Sequence, residues 1–140
     1  MPKPTVALVT GCFDLLHYGH FKFLNFAKSK ADILVVGLES DDFLKNQKGP
    51  FRPLFSQKIR KYCLSQIKCV DKIISIPHHA NYLKLLQKIN PDYLFISSND
   101  SKYKEKNHIC QQLNIKLIIF PRLKNYSTSG IISSDILESH

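Results

Sequence analysis

The sequence predicts an α/β fold, a single doubly wound domain over residues 1–140 around a five-stranded parallel sheet. Three observations predict it. Short apolar runs alternate with amphipathic stretches along the chain, and runs that are apolar throughout suit strands covered on both faces. Gly, Pro or a cluster of polar turn residues punctuates the connections. At 140 residues the chain can bury one sizeable core, and no repeat, linker or low-complexity tract divides it.

The first run, Thr5 to Thr10, is bounded by Pro4 and Gly11 and reads as a buried strand. Gly11 to His20 is a turn. Phe21, Leu24 and Ala27, widened by Phe23 and Phe26, then form the apolar face of a helix ending at Lys28 to Asp32. Ile33 to Leu38 is the second strand. Glu39 to Pro53 carries Asp41, Asp42, Lys45, Lys48, Gly49, Pro50 and Arg52, and its polarity and punctuation predict a loop at that strand's carboxyl end. Ser56 caps a helix with Ile59, Tyr62, Cys63, Ile67 and Val70 on its apolar face and Arg60 off that face. The third strand, Lys72 to Ile76, stops at Pro77, and His78 and His79 lie in the connection. Asn81 caps a helix in which Tyr82, Leu85, Leu86 and Ile89 keep helical spacing until Asn90-Pro91-Asp92 ends it. Tyr93 to Ser97 is strand four, and Ser98, Asn99 and Asp100 form its loop. A helix around Tyr103 to Leu113 leads to strand five, Lys116 to Phe120, closed by Pro121. Arg122 to Ser129 reads as a loop and Gly130 to Leu137 as a terminal helix.

Twenty Lys and Arg against eleven Asp and Glu give a formal charge of +9, which points to anionic partners. The lysines are scattered and form no basic arm, which favours small phosphate ligands over nucleic acid. No apolar run approaches the roughly 20 residues of a membrane span. The start Met-Pro-Lys-Pro lacks an apolar signal core, so the expected location is cytoplasmic. Cys12, Cys63, Cys69 and Cys110 lack zinc-finger spacing and read as reduced thiols, three of them buried packing.

In a sheet of this kind the ligand crevice opens at the carboxyl ends of the strands, where the strand order reverses. The stretch Gly11-Cys12-Phe13-Asp14-Leu15-Leu16-His17-Tyr18-Gly19-His20 lies at such an end. A helix that starts there offers unpaired amide groups and the positive end of its dipole to phosphate. His17 and His20 sit at that helix mouth, and Gly19 removes a side chain that would hold a ligand off the backbone.

The decapeptide resembles, nearly residue for residue, the Gly-x-Phe-Asp-x-x-His-x-Gly-His signature of the cytidylyltransferase-like nucleotidyltransferases. Lys48-Gly49-Pro50-Phe51-Arg52-Pro53 is similar to the basic loop of the heptose-phosphate adenylyltransferases in that group. Asp42-Phe43 with Lys45 and Lys48 also resembles the lysine-bearing loop of the glycerol-phosphate cytidylyltransferases. Arg60, ten residues before Val70-Asp71, matches the helix arginine of both. Pro121-Arg122 followed by Ser127-Thr128-Ser129 resembles the closing motif of the cytidylyltransferases. The chain departs from the pattern after strand four, where Ser97-Ser98-Asn99 precedes Asp100 in place of the usual glycine. It departs again at Arg122-Leu123-Lys124-Asn125, where only the arginine of the family's run is kept.

The resemblance implies a Rossmann-like fold and an enzyme that joins the nucleotidyl group of CTP or ATP to a small phosphorylated polyol, alcohol or sugar, releasing pyrophosphate. It implies Mg²⁺ as cofactor and a homodimer as the assembly, with no membrane partner. Such a reaction asks for positioning and charge neutralisation, with no protein nucleophile. His17, His20, Lys48 and Arg122 are the expected catalytic residues. Gly11, Cys12, Phe13, Asp14, Gly19, Arg60, Asp100, Ser127 and Thr128 are the expected nucleotide-binding ones, with Asp14 also the candidate metal ligand. Each has a plainer role open to it. Asp14 can cap the turn, Arg60 can be a solvated helix residue, Lys48 competes with Lys45, and Ser127 to Ser129 can be an ordinary helix cap. Two other functions stay open. One is a non-catalytic nucleotide sensor, suggested by Ser98. The other is tRNA or other nucleic-acid binding, suggested by the similar signature of class I aminoacyl-tRNA synthetases. Chain length and the lack of aromatic residues interleaved with a basic stripe weigh against the second.

Overall fold

β1 (Val6–Gly11) sits at the middle of the sheet because Ala7, Leu8 and Val9 are completely buried, alternating between two apolar layers. The structure, a computed structural model, describes residues 2–121. Their element order continues through α1 (Tyr18–Ser29), β2 (Ile33–Leu38), α2 (Asp41–Lys48), α3 (Gln57–Ser65), β3 (Lys72–Ser75), α4 (Tyr82–Ile89), β4 (Tyr93–Ser97), α5 (Tyr103–Leu113) and β5 (Lys116–Phe120). The five strands are parallel in the order β3-β2-β1-β4-β5, as the alternation predicts.

Both faces are covered. Ala7, Val9, Leu34, Val36 and Phe95 pack with Phe23, Leu24 and Ala27 of α1 and Leu64 of α3. Leu8, Val35, Leu94 and Ile96 pack on the other face with Tyr82 and Leu86 of α4 and Ile109 and Cys110 of α5. Connections from β1 run outward to β2 and β3, then cross back to β4, so the strand order reverses between β1 and β4. That reversal opens a crevice at their carboxyl ends.

Three expectations need correction. Residues 41–48 form a helix where a loop was expected: Ser40 Oγ accepts from Phe43 N–H, Asp41 and Asp42 occupy the first turn, and Lys45 and Lys48 the last. Gly49, at φ 103°, ends it in a conformation that suits glycine. On α3 the buried residues are Arg60 and Leu64, while Ile59 and Tyr62 face out and Ile67 and Val70 lie past the helix end. Of the four cysteines only Cys110 is buried, because α3 turns Arg60 and Leu64 inward and leaves Cys63 at the margin. The expected terminal helix, residues 130–137, lies outside the described residues, as do Arg122, Ser127 and Thr128.

Candidate active site

A cleft of about 330 Å³ opens at the reversal point. Gly11, Cys12, Phe13, Asp14, His17, Gly19, His20, Lys48 and Asp100 all line it. The turn that leaves β1 needs glycine at position 11, because a Cβ there would lie 2.9 Å from Phe13 Cε2. Phe13 itself takes φ 48°, and its buried ring lies 5.2 Å from the imidazole of His20.

His17 is the N-cap of α1, and its Nδ1 accepts the Gly19 N–H at 3.1 Å. His20 Nδ1 accepts the His17 N–H at 3.3 Å, and the two rings stack with centroids 3.8 Å apart. An Nδ1 that accepts cannot carry the proton of a neutral imidazole, so Nε2 carries it in both rings. Burial, then the neighbouring His17, lowers the pKa of His20 to about 3, so its ring is neutral at physiological pH. The amides of Gly19 and His17, expected to be open to phosphate, are taken by these imidazoles. Both rings line the cleft, and the Leu15 backbone is a further hydrogen-bond partner of the His20 ring.

Asp14, the candidate metal ligand, has both carboxylate oxygens engaged within the protein. Oδ2 accepts from Arg52 Nε at 2.8 Å and from Leu54 N–H at 2.8 Å, while Oδ1 accepts from Leu54 and Phe55 N–H at 2.9 and 3.0 Å. A carboxylate so occupied fixes the loop of residues 52–55 and has little left for a cation. Among the described residues no group of three or more His, Cys, Asp or Glu side chains is placed to hold a metal. Among the described residues none is therefore placed to hold a Mg²⁺ ion by itself.

Arg60 also differs from expectation. It is 1% exposed and does not line the cleft. Its Nη1 donates to Cys12 O at 2.7 Å, Nη2 to Asp41 Oδ1 at 2.7 Å and Nε to Phe55 O at 3.0 Å. One guanidinium thus ties the signature turn, α2 and the 52–55 loop together, using the fork geometry that lysine lacks. Lys48, at the exposed end of α2, lines the cleft and Lys45 does not.

Sequence reasoning missed Arg52, Glu39 and Lys106 as site residues. Arg52 lines the cleft beside Lys48. Lys106 is 2% exposed; its Nζ donates to Thr10 Oγ1 at 2.9 Å and Asp100 Oδ2 at 2.8 Å, and lies 4.9 Å from the centre of the Tyr82 ring. Asp100 is thereby an internal partner of Lys106 as well as a cleft residue. A signal existed, since Lys106 falls in line with Ile109, Cys110 and Leu113 on the apolar stripe of α5.

Burial, reinforced by Glu39, pushes the Cys12 thiol up to about 11, against the opposing pull of Lys48, Arg60 and Lys106. Such a thiol is protonated at neutral pH and is a poor nucleophile. Cys12→Ser should keep turnover within about threefold of the parent, since a substitution of this kind removes no donor that the chemistry needs; loss of turnover in a folded variant would overturn this.

Comparison with known proteins gives a consistent set of similarities. A model of the cytidylyltransferase-like family matches residues 8–139. The bifunctional protein HldE of Helicobacter pylori (strain HPAG1) is 39% identical over 127 residues, covering 91% of this chain and 27% of its own length. HldE of Helicobacter hepaticus is 35% identical over 134 residues, 96% of this chain and 27% of its own length. This chain thus spans little more than a quarter of these relatives. Among solved structures, the lipopolysaccharide core biosynthesis protein from Thermoplasma volcanium GSS1 aligns with TM-score 0.72 and 27% identity over 87% of this chain and 98% of its own. Pantoate-beta-alanine ligase from Francisella tularensis, at 17% identity and TM-score 0.61, covers 98% of this chain and 71% of its own and shares the fold alone.

Proposed function

The chain belongs to the cytidylyltransferase-like family of nucleotidyltransferases, and from that premise we propose that its cleft joins the nucleotidyl group of a triphosphate to a small phosphorylated acceptor. An acceptor phosphate oxygen attacks the α-phosphorus; the new P–O bond forms as the bond to the β-phosphate's bridging oxygen breaks, and pyrophosphate leaves. The observation that carries this reading is the pair of cap-held imidazoles in one cleft with Lys48 and Arg52. The His17 and His20 imidazoles donate to oxygens whose charge rises in the transition state. Lys48 and Arg52 offset the charge of two anions brought together. The cleft needs no nucleophile of its own, in keeping with the protonated Cys12.

We assign the acceptor to the sugar phosphates and the donor to ATP. The Lys48-to-Pro53 loop resembles that of the heptose-phosphate adenylyltransferases, and HldE and a lipopolysaccharide core biosynthesis protein are among the similar proteins. Mg²⁺ belongs on this reading to the triphosphate oxygens and water, which is how that ion is commonly held. No helix of the described residues is long and apolar enough to cross a membrane, and we place the reaction in the cytoplasm, where triphosphates are supplied. Ile59 and Tyr62, exposed on α3, would give the homodimer implied by the resemblance an apolar contact.

Pyrophosphate release should be measured with ATP and CTP, each against a panel of phosphorylated sugars, polyols and alcohols. Release with ATP and a sugar phosphate is expected. Nucleotide binding without release from any pair would favour a sensor.

A further inference from the structure

The floor of the cleft holds charged side chains that the chemistry at the histidines does not use. Glu39 and Lys106 are buried yet line the cleft, as does Asp100. Asp100 Oδ2 accepts from Lys106 Nζ at 2.8 Å, and its Oδ1 accepts from Lys102 N–H at 2.8 Å. Both oxygens of this carboxylate are thus engaged within the protein, and what it brings to the cleft is its charge. Lys106 Nζ also donates to Thr10 Oγ1 at 2.9 Å, and Glu39 Oε1 accepts from Tyr82 Oη at 2.8 Å. Burial raises the Glu39 pKa; the Tyr82 hydroxyl, Lys106 and Lys102 lower it and Asp100 raises it, so the charges at this floor act on one another.

Among the described residues three carboxylates, Asp14, Glu39 and Asp100, and three cations, Lys48, Arg52 and Lys106, line the cleft. Two of the carboxylates are matched in place: Arg52 Nε lies 2.8 Å from Asp14 Oδ2, and Lys106 Nζ 2.8 Å from Asp100 Oδ2. The side chains of the second pair are only 3% and 11% exposed. Charges so poorly hydrated are weakly screened, and one unit more or less is felt across the cleft. A polyanion that enters therefore meets Asp100 as masked by Lys106. Without that ammonium the carboxylates of Asp100 and Glu39 would oppose it.

We infer that Lys106 sets the charge of the ligand that the cleft accepts: by masking Asp100 it lets a polyanion, the triphosphate, occupy a cleft whose floor is otherwise acidic. Lys106 is then a specificity-determining residue that acts through its field and touches no reacting atom. This rests on the nucleotidyl-transfer reading, from which the triphosphate is taken as ligand. The role of Asp100 changes sign with it. A residue that held the nucleotide by hydrogen bonds would weaken binding when replaced, whereas loss of a masked carboxylate leaves the Lys106 charge in excess and strengthens it.

Binding measured against ligand charge tests this apart from catalysis. Titration calorimetry of the full chain, at fixed ionic strength and Mg²⁺, would compare adenosine, AMP, ADP and ATP, with the cytidine series alongside, for the parent, Lys106→Met, Asp100→Asn and the double variant. Lys106→Met should weaken the triphosphate by about tenfold and the nucleoside by less than about twofold, with the mono- and diphosphates between, because the interaction scales with ligand charge. Asp100→Asn keeps the side chain's shape and should tighten the triphosphate by about threefold, and the double variant should bind it within about threefold of the parent. Thermal unfolding fixes a temperature at which each variant is folded, and Asp100→Asn alone decides the sign should Lys106→Met not fold. A Lys106→Met loss equal for nucleoside and triphosphate would make Lys106 structural and overturn the inference. So would weaker triphosphate binding in Asp100→Asn, or a parent that bound no triphosphate. The expected pattern, with no pyrophosphate released by the parent from any triphosphate and acceptor, would leave the role of Lys106 standing and sink the transfer reading. Release by a parent whose variants ignore ligand charge would do the reverse.

Discussion

His17→Ala and His20→Ala should each lower kcat by about 10² to 10³, roughly 3 to 4 kcal/mol of barrier, while weakening triphosphate binding much less. Each ring is held by its own cap: Nδ1 accepts a backbone N–H at the start of α1, so the imidazole is oriented before the substrate arrives. A donor that meets charge appearing only as the α-phosphate is attacked contributes to kcat rather than to ground-state affinity. The same caps make the histidines structural. Deleting either leaves an amide of the first turn without its partner, at a cost of about 1 kcal/mol, so both variants should also unfold slightly earlier.

pH supplies an independent check. His20 has a folded pKa of about 3 against an ordinary 6.5, so between these values the unfolded chain takes up a proton there and the folded chain does not. Stability therefore falls as pH drops below about 6.5, by up to about 1.4 kcal/mol per unit from this residue, and His20→Ala should flatten that slope. Comparison of kcat, triphosphate Kd and pH-dependent unfolding for the two variants and the parent decides the matter. Near-parental turnover in both would leave the imidazoles as caps alone.

The strands and most helices were legible because their signals are local. Pro91 and Pro121 punctuate the chain at β4 and β5, and Asn81 caps α4 through the Lys84 N–H as its position suggests. α2 was illegible because its apolar side consists of one buried residue, Leu44, so no periodicity shows among its charges. The cap Ser40 and the Asp-to-Lys gradient were the available signals. His17 and His20 of the signature line the cleft, whereas the partners of Asp14 and Arg60 could not be read from spacing. Asp14 meets its partners near residue 54 and Arg60 reaches back to Cys12 and Asp41, and nothing in the intervening sequence marks those meetings. A buried arginine also contradicts hydropathy, and only its three acceptors explain it.

Lys106→Ala should produce the largest loss of stability of any single change at the cleft. Lys106 joins α5 to Thr10 on β1 and to Asp100 after β4, across the point where the strand order reverses, and both partners of the Lys106–Asp100 pair are largely buried. Removing the ammonium leaves the Asp100 carboxylate charged in a poorly hydrated place, and removing one member of a buried pair typically costs about 3 to 5 kcal/mol. For a chain of this size that corresponds to a fall in Tm of roughly 10 °C or more. Loss of charge on both sides should behave differently. Lys106→Met with Asp100→Asn keeps volume and removes the unpaired carboxylate, so the double variant should recover much of the loss, and a double-mutant cycle should give a coupling above about 1 kcal/mol. Lys106→Met alone fills the space but strands Asp100, and should sit near Lys106→Ala; were its Tm instead within about 2 °C of the parent, the ammonium would be dispensable and the buried pair would contribute nothing measurable to the fold.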